Sequence, residues 1–527
     1  MRSVHAVRGM LLALLWCLAC GVVHAQSVRI SVAEFSKDPA NVANLKAAIE
    51  SMRVASDADP MSVDFRTSLA YWANTHGYIG TGTHATSMED YITNYRMPQC
   101  LEAYPKSVCD TYYQHVVNVD VPPDGFTDSI WGTCQHGNLF FLPWHRFYLY
   151  YFERTVRKRS KDPNFALPYW NYFDNYVAAR KGIALPPLVV GDPNTLKDQW
   201  RTPGLNEAKV VMDPQSADAS QAFAFNDFTN FSNTLQGQPH GAMHCAVGSG
   251  CVMPDIGLVP IAGADPVFYM HHANIDRLWQ CWMVGKAGGK PIDLAWAKAN
   301  LGMPDSWYEQ QYTFIDENGQ PVTVKVGDVF SEKYTPQYDQ LQNCGTNPVQ
   351  PRPLLLAAAT EKNGPLKLHR PRTTGKPVLL GGKPVDVSLD AETPPKSGMD
   401  SEAVIDTNAT GQTYLVLEDV KLVGLPTLTY KVFIFDKARP KRASYIATIS
   451  LFGAGPAHPG HGDAGSLGNL VYQVSGQLTE LGIQSADQIG VRFEPTNLLV
   501  GQKWREPSAG NGLSVTRVRL QTSATAP

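Results

Sequence analysis

Two histidines, His136 and His145, stand nine residues apart within residues 131–154, and that spacing constrains this chain more than any other feature. At about 100° per residue, nine steps would put them on opposite faces of one helix. They can share a site only if one of them comes from outside the helix. Pro143 suits a first helical position, and His145, Leu149, Phe152 and Val156 then recur at i, i+4, i+7 and i+11 on one face. His145 is therefore expected at the head of an inward-facing apolar stripe, with His136 reaching the same place from the preceding loop. For such a pair alone, one core histidine and one loop histidine is the plainer reading. The remaining histidines argue otherwise.

Residues 41–54 read as an amphipathic helix. Residues 62–76 read as another, with Phe65, Leu69, Trp72 and His76 on one face. Residues 77–133 form an irregular insert in which His84 and His115 read as ordinary loop histidines. Pro239 marks a further helix start, and His240 and His244 at i, i+4 share its face. Asp265 suits an N-cap and Pro266 the position after it. The helix they open carries His271 and His272, of which one can point inward. Four helices and one loop thus converge on six imidazoles, two sets of three, and a helical bundle is a natural frame for such a metal site. An all-imidazole ligand set suits copper, zinc, iron or nickel. Dinuclear hydrolytic sites usually add bridging carboxylates, and none stands at an obvious ligand position here, which favours copper and redox chemistry.

The 527 residues suffice for two or three domains. A net charge of −3, with 18% charged and 10% aromatic residues, predicts neither nucleic-acid binding nor disorder. Residues 1–25 read as a secretory signal peptide, with Arg2 and Arg8 before an apolar run and Val23-His24-Ala25 at its end. No segment reads as a membrane span, so the mature chain is expected to be exported, periplasmic or secreted. Seven cysteines remain after cleavage. Cys100 with Cys109 and Cys245 with Cys251 are candidate disulfides, and the odd count leaves one sulfur over. Residues 26–355 are expected to form a mainly α metal domain, a four-helix-bundle core with long loops, and residues 356–385 a linker. Residues 386–527 are expected to form an all-β, sandwich-like domain with strands near 413–417, 428–435, 444–452, 470–473 and 489–493.

The motifs His-Gly-x-x-x-Phe-x-x-Trp-His-Arg from His136, Leu-Pro-Tyr-Trp-Asn from Leu167, Pro-His-x-x-x-His from Pro239 and Asp-Pro-x-Phe-x-x-His-His-x-Asn-x-Asp-Arg-x-Trp from Asp265 resemble those of one family. It is the tyrosinase and catechol oxidase, or polyphenol oxidase, family of type-3 dinuclear copper proteins, and the chain looks like a bacterial secreted form. The match covers roughly residues 40–285. The resemblance implies one copper held by His76, His136 and His145 and a second held by His240, His244 and His272, with His271 behind the ligands. His115, 21 residues before His136, is the alternative to His76, which is preferred for its helix. Cys134 stands where some members join sulfur to the ligand ring as a thioether; a free or disulfide-bonded cysteine is the alternative. Phe268 matches a residue packed on a ligand ring, and Val259 one that gates the second copper; ordinary core packing is the alternative for both. Asn274 and Asp276 either orient ligands or stabilise the helix with Arg277.

The implied reaction is oxidation of small phenolic substrates by O2, catechols to o-quinones with water as the reduced product. Ortho-hydroxylation of monophenols is less expected. Gln236 and Gly241 stand near where many monophenol-active members carry a Glu and an Asn, and a neutral amide is a poor base. The rival readings are a haemocyanin-like reversible O2 carrier and a zinc hydrolase. The resemblance also implies a C-terminal domain that shields the site, with Phe452, at a strand end before a glycine-rich loop, as the candidate side chain in the substrate entrance; a stabilising domain far from the entrance, with Phe452 in its own core, is the alternative.

Overall fold

The computed structural model describes residues 28–78, 80, 97–114, 120–252, 255–342, 344–345, 348, 366, 368, 371–391, 411–454, 465–504 and 506–527. The expected signal peptide, His84 and His115 lie outside these residues.

The helix α1 (Pro39–Val54) starts at Asp38, whose carboxylate accepts from Ala40 N–H, and buries Leu45, Ala48, Ile49 and Met52. The single helix expected over 62–76 is two. A short turn over Val63–Arg66 ends at Thr67, and Ser68 caps a new start by accepting from Tyr71 N–H. The cap hydroxyl competes with continuation of the first helix. The second piece, α2 (Leu69–His76), ends on His76. The long α3 (Phe141–Ser160) begins two residues before Pro143, which fits its first turn because N–H groups there have no partner within the helix. It packs against α1 and against α5. The short α4 (Ala242–Val247) follows a wider turn over Gln236–Gly241, in which Gln238 is extended, so the helical path does resume at Pro239. Asp265 caps α5 (Val267–Ala287) by accepting from Val267 N–H.

A buried charge network braces α3 and α5. Asp276 accepts from Arg146, Arg29 and the Tyr338 hydroxyl, while Arg29 also pairs with Glu153. Asp276 thus pairs with these groups rather than with Arg277. Removing its carboxylate would leave two buried guanidinium groups short of a counter-charge, which typically costs about 3–5 kcal/mol.

The C-terminal part holds two antiparallel sheets. Its strands are β1 (Arg372–Thr373), β2 (Val378–Leu380), β3 (Val385–Ser388), β4 (Asp390–Ala391), β5 (Gln412–Val423), β6 (Thr429–Asp436), β7 (Arg439–Ile449), β8 (Ser466–Gln473), β9 (Ile489–Thr496) and β10 (Gly512–Ser523). One sheet runs β4-β1-β10-β5-β8 with β2 also on β10; the other runs β7-β6-β9-β3. Residues 372–385 were expected to be linker, but they carry β1, β2 and the start of β3. Their short runs are too brief to read as strands until β10 and β9 supply partners. The last strand, β10, was not expected either. Among the described residues no helix is long and apolar enough to cross a membrane.

Three disulfides tie the loops: Cys100–Cys109, Cys245–Cys251 and Cys281–Cys344. The first two match the candidate pairs; the third spans 63 residues and had no local signal.

Candidate metal centre

The structure brings His76, His136 and His145 together, and beside them His240, His244, His271 and His272. Within each group the candidate donor atoms lie within 4.8 Å of one another, and every member is buried. His76 is the last residue of α2, His136 comes from the loop before α3, and His145 sits in the first turns of α3. His240 and His244 flank the start of α4, and His271 and His272 lie in the second turn of α5.

Backbone carbonyls orient most of these rings. The Nδ1 of His76 lies 3.0 Å from the Val259 carbonyl and that of His145 2.8 Å from Phe141. His240 Nδ1 is 2.9 Å from the Gln236 carbonyl, and His244 Nδ1 2.6 Å from that of Ile256. A carbonyl accepts only, so Nδ1 must carry the proton and Nε2 keeps its lone pair. Among the described residues, the Nε2 atoms of His145 and His240 are buried without a hydrogen-bond partner. His272 presents Nε2 to His244 Nε2 at 3.2 Å. Buried lone pairs converging in this way are costly unless something binds them, and a cation that prefers imidazole fits. The carbonyl supports are those that hold metal-ligating histidines in one tautomer.

Burial, reinforced by neighbouring imidazoles, holds His145, His244 and His272 far below the usual histidine range; burial alone pushes His240 down to about 3. All four are neutral near pH 7, the form a metal requires.

The two groups touch. The rings of His145 and His272 stack with centroids 4.4 Å apart, and Phe268 packs 4.2 Å from His272 and 4.8 Å from His76. Val259, expected to relate to the second group, gives its carbonyl to His76 of the first. His271, expected behind the ligands, places a ring nitrogen within the second group, while its Nδ1 meets the Tyr172 hydroxyl at 2.8 Å. Asn274 serves neither group directly; its side-chain oxygen accepts from Arg277 Nε. The sulfur of Cys134, which is in none of the disulfides, lies 3.4 Å from His136 Nδ1, and burial pushes its thiol pKa up. Gln236 ties two segments: its carbonyl receives His240 and its side-chain oxygen accepts from Gly137 N–H at 2.7 Å.

The loop after β7 closes over the second group. The Phe452 ring stacks on His244 with centroids 3.8 Å apart and planes 14° apart, and stands edge-on to His240 and His136. Ser450 sits over Gly241, where an added Cβ would come within 2.3 Å of its hydroxyl oxygen. Gln238 anchors β7 to this edge: its side-chain oxygen accepts from Thr448 N–H at 2.6 Å and from the Tyr445 hydroxyl at 3.1 Å. Ser450, Gln238 and Tyr172 were not foreseen, since each acts through a partner distant in sequence.

Residues 66–206 and 191–284 match the family model described as the common central domain of tyrosinase. Among curated relatives, the chain is 28% identical over 269 residues to the tyrosinase HcTyr1 of Hahella sp. (strain CCB-MM4), covering 45% of this chain and 54% of that one. It is 26% identical to the latent form of a Prunus armeniaca chloroplastic polyphenol oxidase (66% and 61% covered) and 29% identical to the chloroplastic (+)-larreatricin hydroxylase of Larrea tridentata (77% and 73%). The alignments thus span less than two thirds of the first two relatives. The fold is shared with a recombinant latent aurone synthase at TM-score 0.55 and 19% identity, covering 95% of this chain and 90% of that one. It is also shared with latent apple tyrosinase at 0.51 and 17%, covering 94% and 97%.

Proposed function

With the match of residues 66–206 and 191–284 to the common central domain of tyrosinase as the premise, we propose that this chain is a dicopper phenol oxidase of the tyrosinase and polyphenol oxidase family whose principal reaction is the oxidation of catechols by O2. The observation that carries the reading is the pair of adjoining, buried histidine groups, which contain no carboxylate. His76, His136 and His145 would hold one copper, and His240, His244 and His272 the other. Bound there, the copper pair supplies the electron transfer by which two catechols become two o-quinones while one O2 becomes two waters. The chain's own part is rigidity and exclusion of water: carbonyls lock His76, His145, His240 and His244, and Phe268 fills the space between the groups. Gln236 is a neutral amide already accepting from Gly137, so it takes no proton from a monophenol, and ortho-hydroxylation is the weaker activity. His244→Ala and His145→Ala should each abolish catechol oxidation while leaving a folded chain; full activity in either would end the assignment.

Three further parts belong to this reading. A thioether between Cys134 and His136 would fix the loop-borne ring; digestion of the copper-loaded chain should then give a cross-linked peptide two hydrogens lighter than its parts, and an alkylatable Cys134 would argue against it. Export to the periplasm or medium suits three disulfides. Two of the similar solved structures are described as latent, and Phe452 over His244 supports the same property here: the C-terminal domain occupies the place where a flat phenol would approach.

A further inference from the structure

A cavity of about 130 Å³ lies on the far side of Tyr172 from the histidine rings, lined by Asn171, Tyr172, Asn274, Arg277, Gln340 and Gln342 with Phe173 and Leu278 as apolar walls. Its lining contains no aspartate or glutamate. Arg277 is only 5% exposed. Its Nε donates to Asn274 Oδ1 at 3.0 Å and its Nη1 to the Gln340 carbonyl at 3.1 Å and toward the Cys344 sulfur at 3.4 Å. Among the described residues no carboxylate makes an ion pair with it, and its guanidinium lies over the Tyr169 ring, 4.6 Å from the centroid. Asp339 and Asp174 are near enough to act on it electrostatically. Asp339 accepts from the Tyr169 hydroxyl at 2.7 Å, and Asp174 accepts from Asn171 at 2.7 Å.

A buried guanidinium whose hydrogen bonds all go to neutral acceptors, with carboxylates acting on it only from a distance, is a weakly compensated cation. Burial accordingly pushes its pKa down, unlike Arg29 and Arg201, which buried carboxylates raise. The planar fork of arginine matches a carboxylate, and the amides of Asn171, Gln340 and Gln342 supply further donors. The volume and the two apolar walls suit a ligand no larger than a single-ring acid.

We propose that this cavity is a binding site for a small carboxylate, aliphatic or aromatic, held by Arg277. The site stands whether or not copper fills the histidine groups. Tyr172 borders both, lining the cavity and meeting His271 through its hydroxyl.

The test is titration of the full copper-loaded chain with 4-bromobenzoate near pH 7, followed by location of the bromine by anomalous diffraction. Binding should weaken at least tenfold in Arg277→Gln, and equally in Gln342→Glu, which sets a negative charge at the exposed rim and keeps the test alive if the first variant misfolds. Bromine density in this cavity, a ring's length from a carboxylate held between Arg277 and Gln342, is expected. Unchanged affinity in the variants, or bromine found only at the histidines, would overturn the proposal. Displacement by acetate would show that the carboxylate group suffices; displacement by inorganic phosphate but not by acetate would overturn the carboxylate assignment.

Discussion

His145, His240 and His244 each commit Nδ1 to a backbone carbonyl and turn Nε2 inward, so the geometry of the centre is set by main chain. Gln236 contributes twice to that frame, through its carbonyl and through its side chain. Gln236→Glu should keep both contacts, because a carboxylate also accepts from Gly137 N–H, while adding a group able to take a phenolic proton. The ratio of monophenol to catechol turnover is expected to rise several-fold at unchanged copper content. An unchanged ratio in a folded, copper-replete variant would show that the missing base is not what limits hydroxylation. Gly241 next to His240 has a different constraint: Ser450 stands where a side chain would be.

At the scale of elements, the loop after β7 lies over the second histidine group. Phe452 lies flat on His244, and β7 is held down by Gln238, two residues before His240. Phe452→Ala should raise catechol turnover several-fold without any cleavage; a fall or no change would mean that the ring supports the histidines rather than blocking their approach. How much of this was legible follows from how local each signal is. Which histidines cluster could be read from helix periodicity and proline starts, because His145 and His240 are held by carbonyls one turn away and His244 follows His240 at i+4. Phe452 could be suspected from its position at a strand end. Ser450 over Gly241, Tyr172 on His271, and Cys281 with Cys344 could not, because nothing near them in the chain encodes their partners. The split between Val63–Arg66 and α2 was missed because apolar periodicity runs through it, while the decision rests on the Ser68 cap.

For the whole molecule, the helical and β parts meet at the candidate centre, with Lys431 pairing Asp213 and Gln221 bonding Gln473 across the boundary. The expected linker shortens because β1, β2 and β3 already belong to the sheets. The buried histidines also make global stability depend on pH. His145, His244, His271 and His272 are all lowered by burial first, and His240 to about 3, whereas the unfolded chain titrates them near about 6.5. Between those values the unfolded state binds more protons, so this stability is present above about pH 6.5 and is lost as pH falls toward the folded values. The denaturant midpoint of metal-free protein should drop steadily from about pH 7 to about pH 4.5, with copper raising it at the upper end. A midpoint that stays level over that range would contradict the neutral, buried assignment.

The claim on which the rest depends is that the two histidine groups hold a copper pair that oxidises catechols. Copper added stepwise to metal-free protein, with O2 uptake and quinone formation from 4-tert-butylcatechol followed at each step, tests it directly. Activity is expected to rise to a plateau at two coppers per chain, with one O2 consumed for every two quinones formed. A plateau at one copper, reversible O2 binding without quinone, or equal activity with zinc alone would contradict the account.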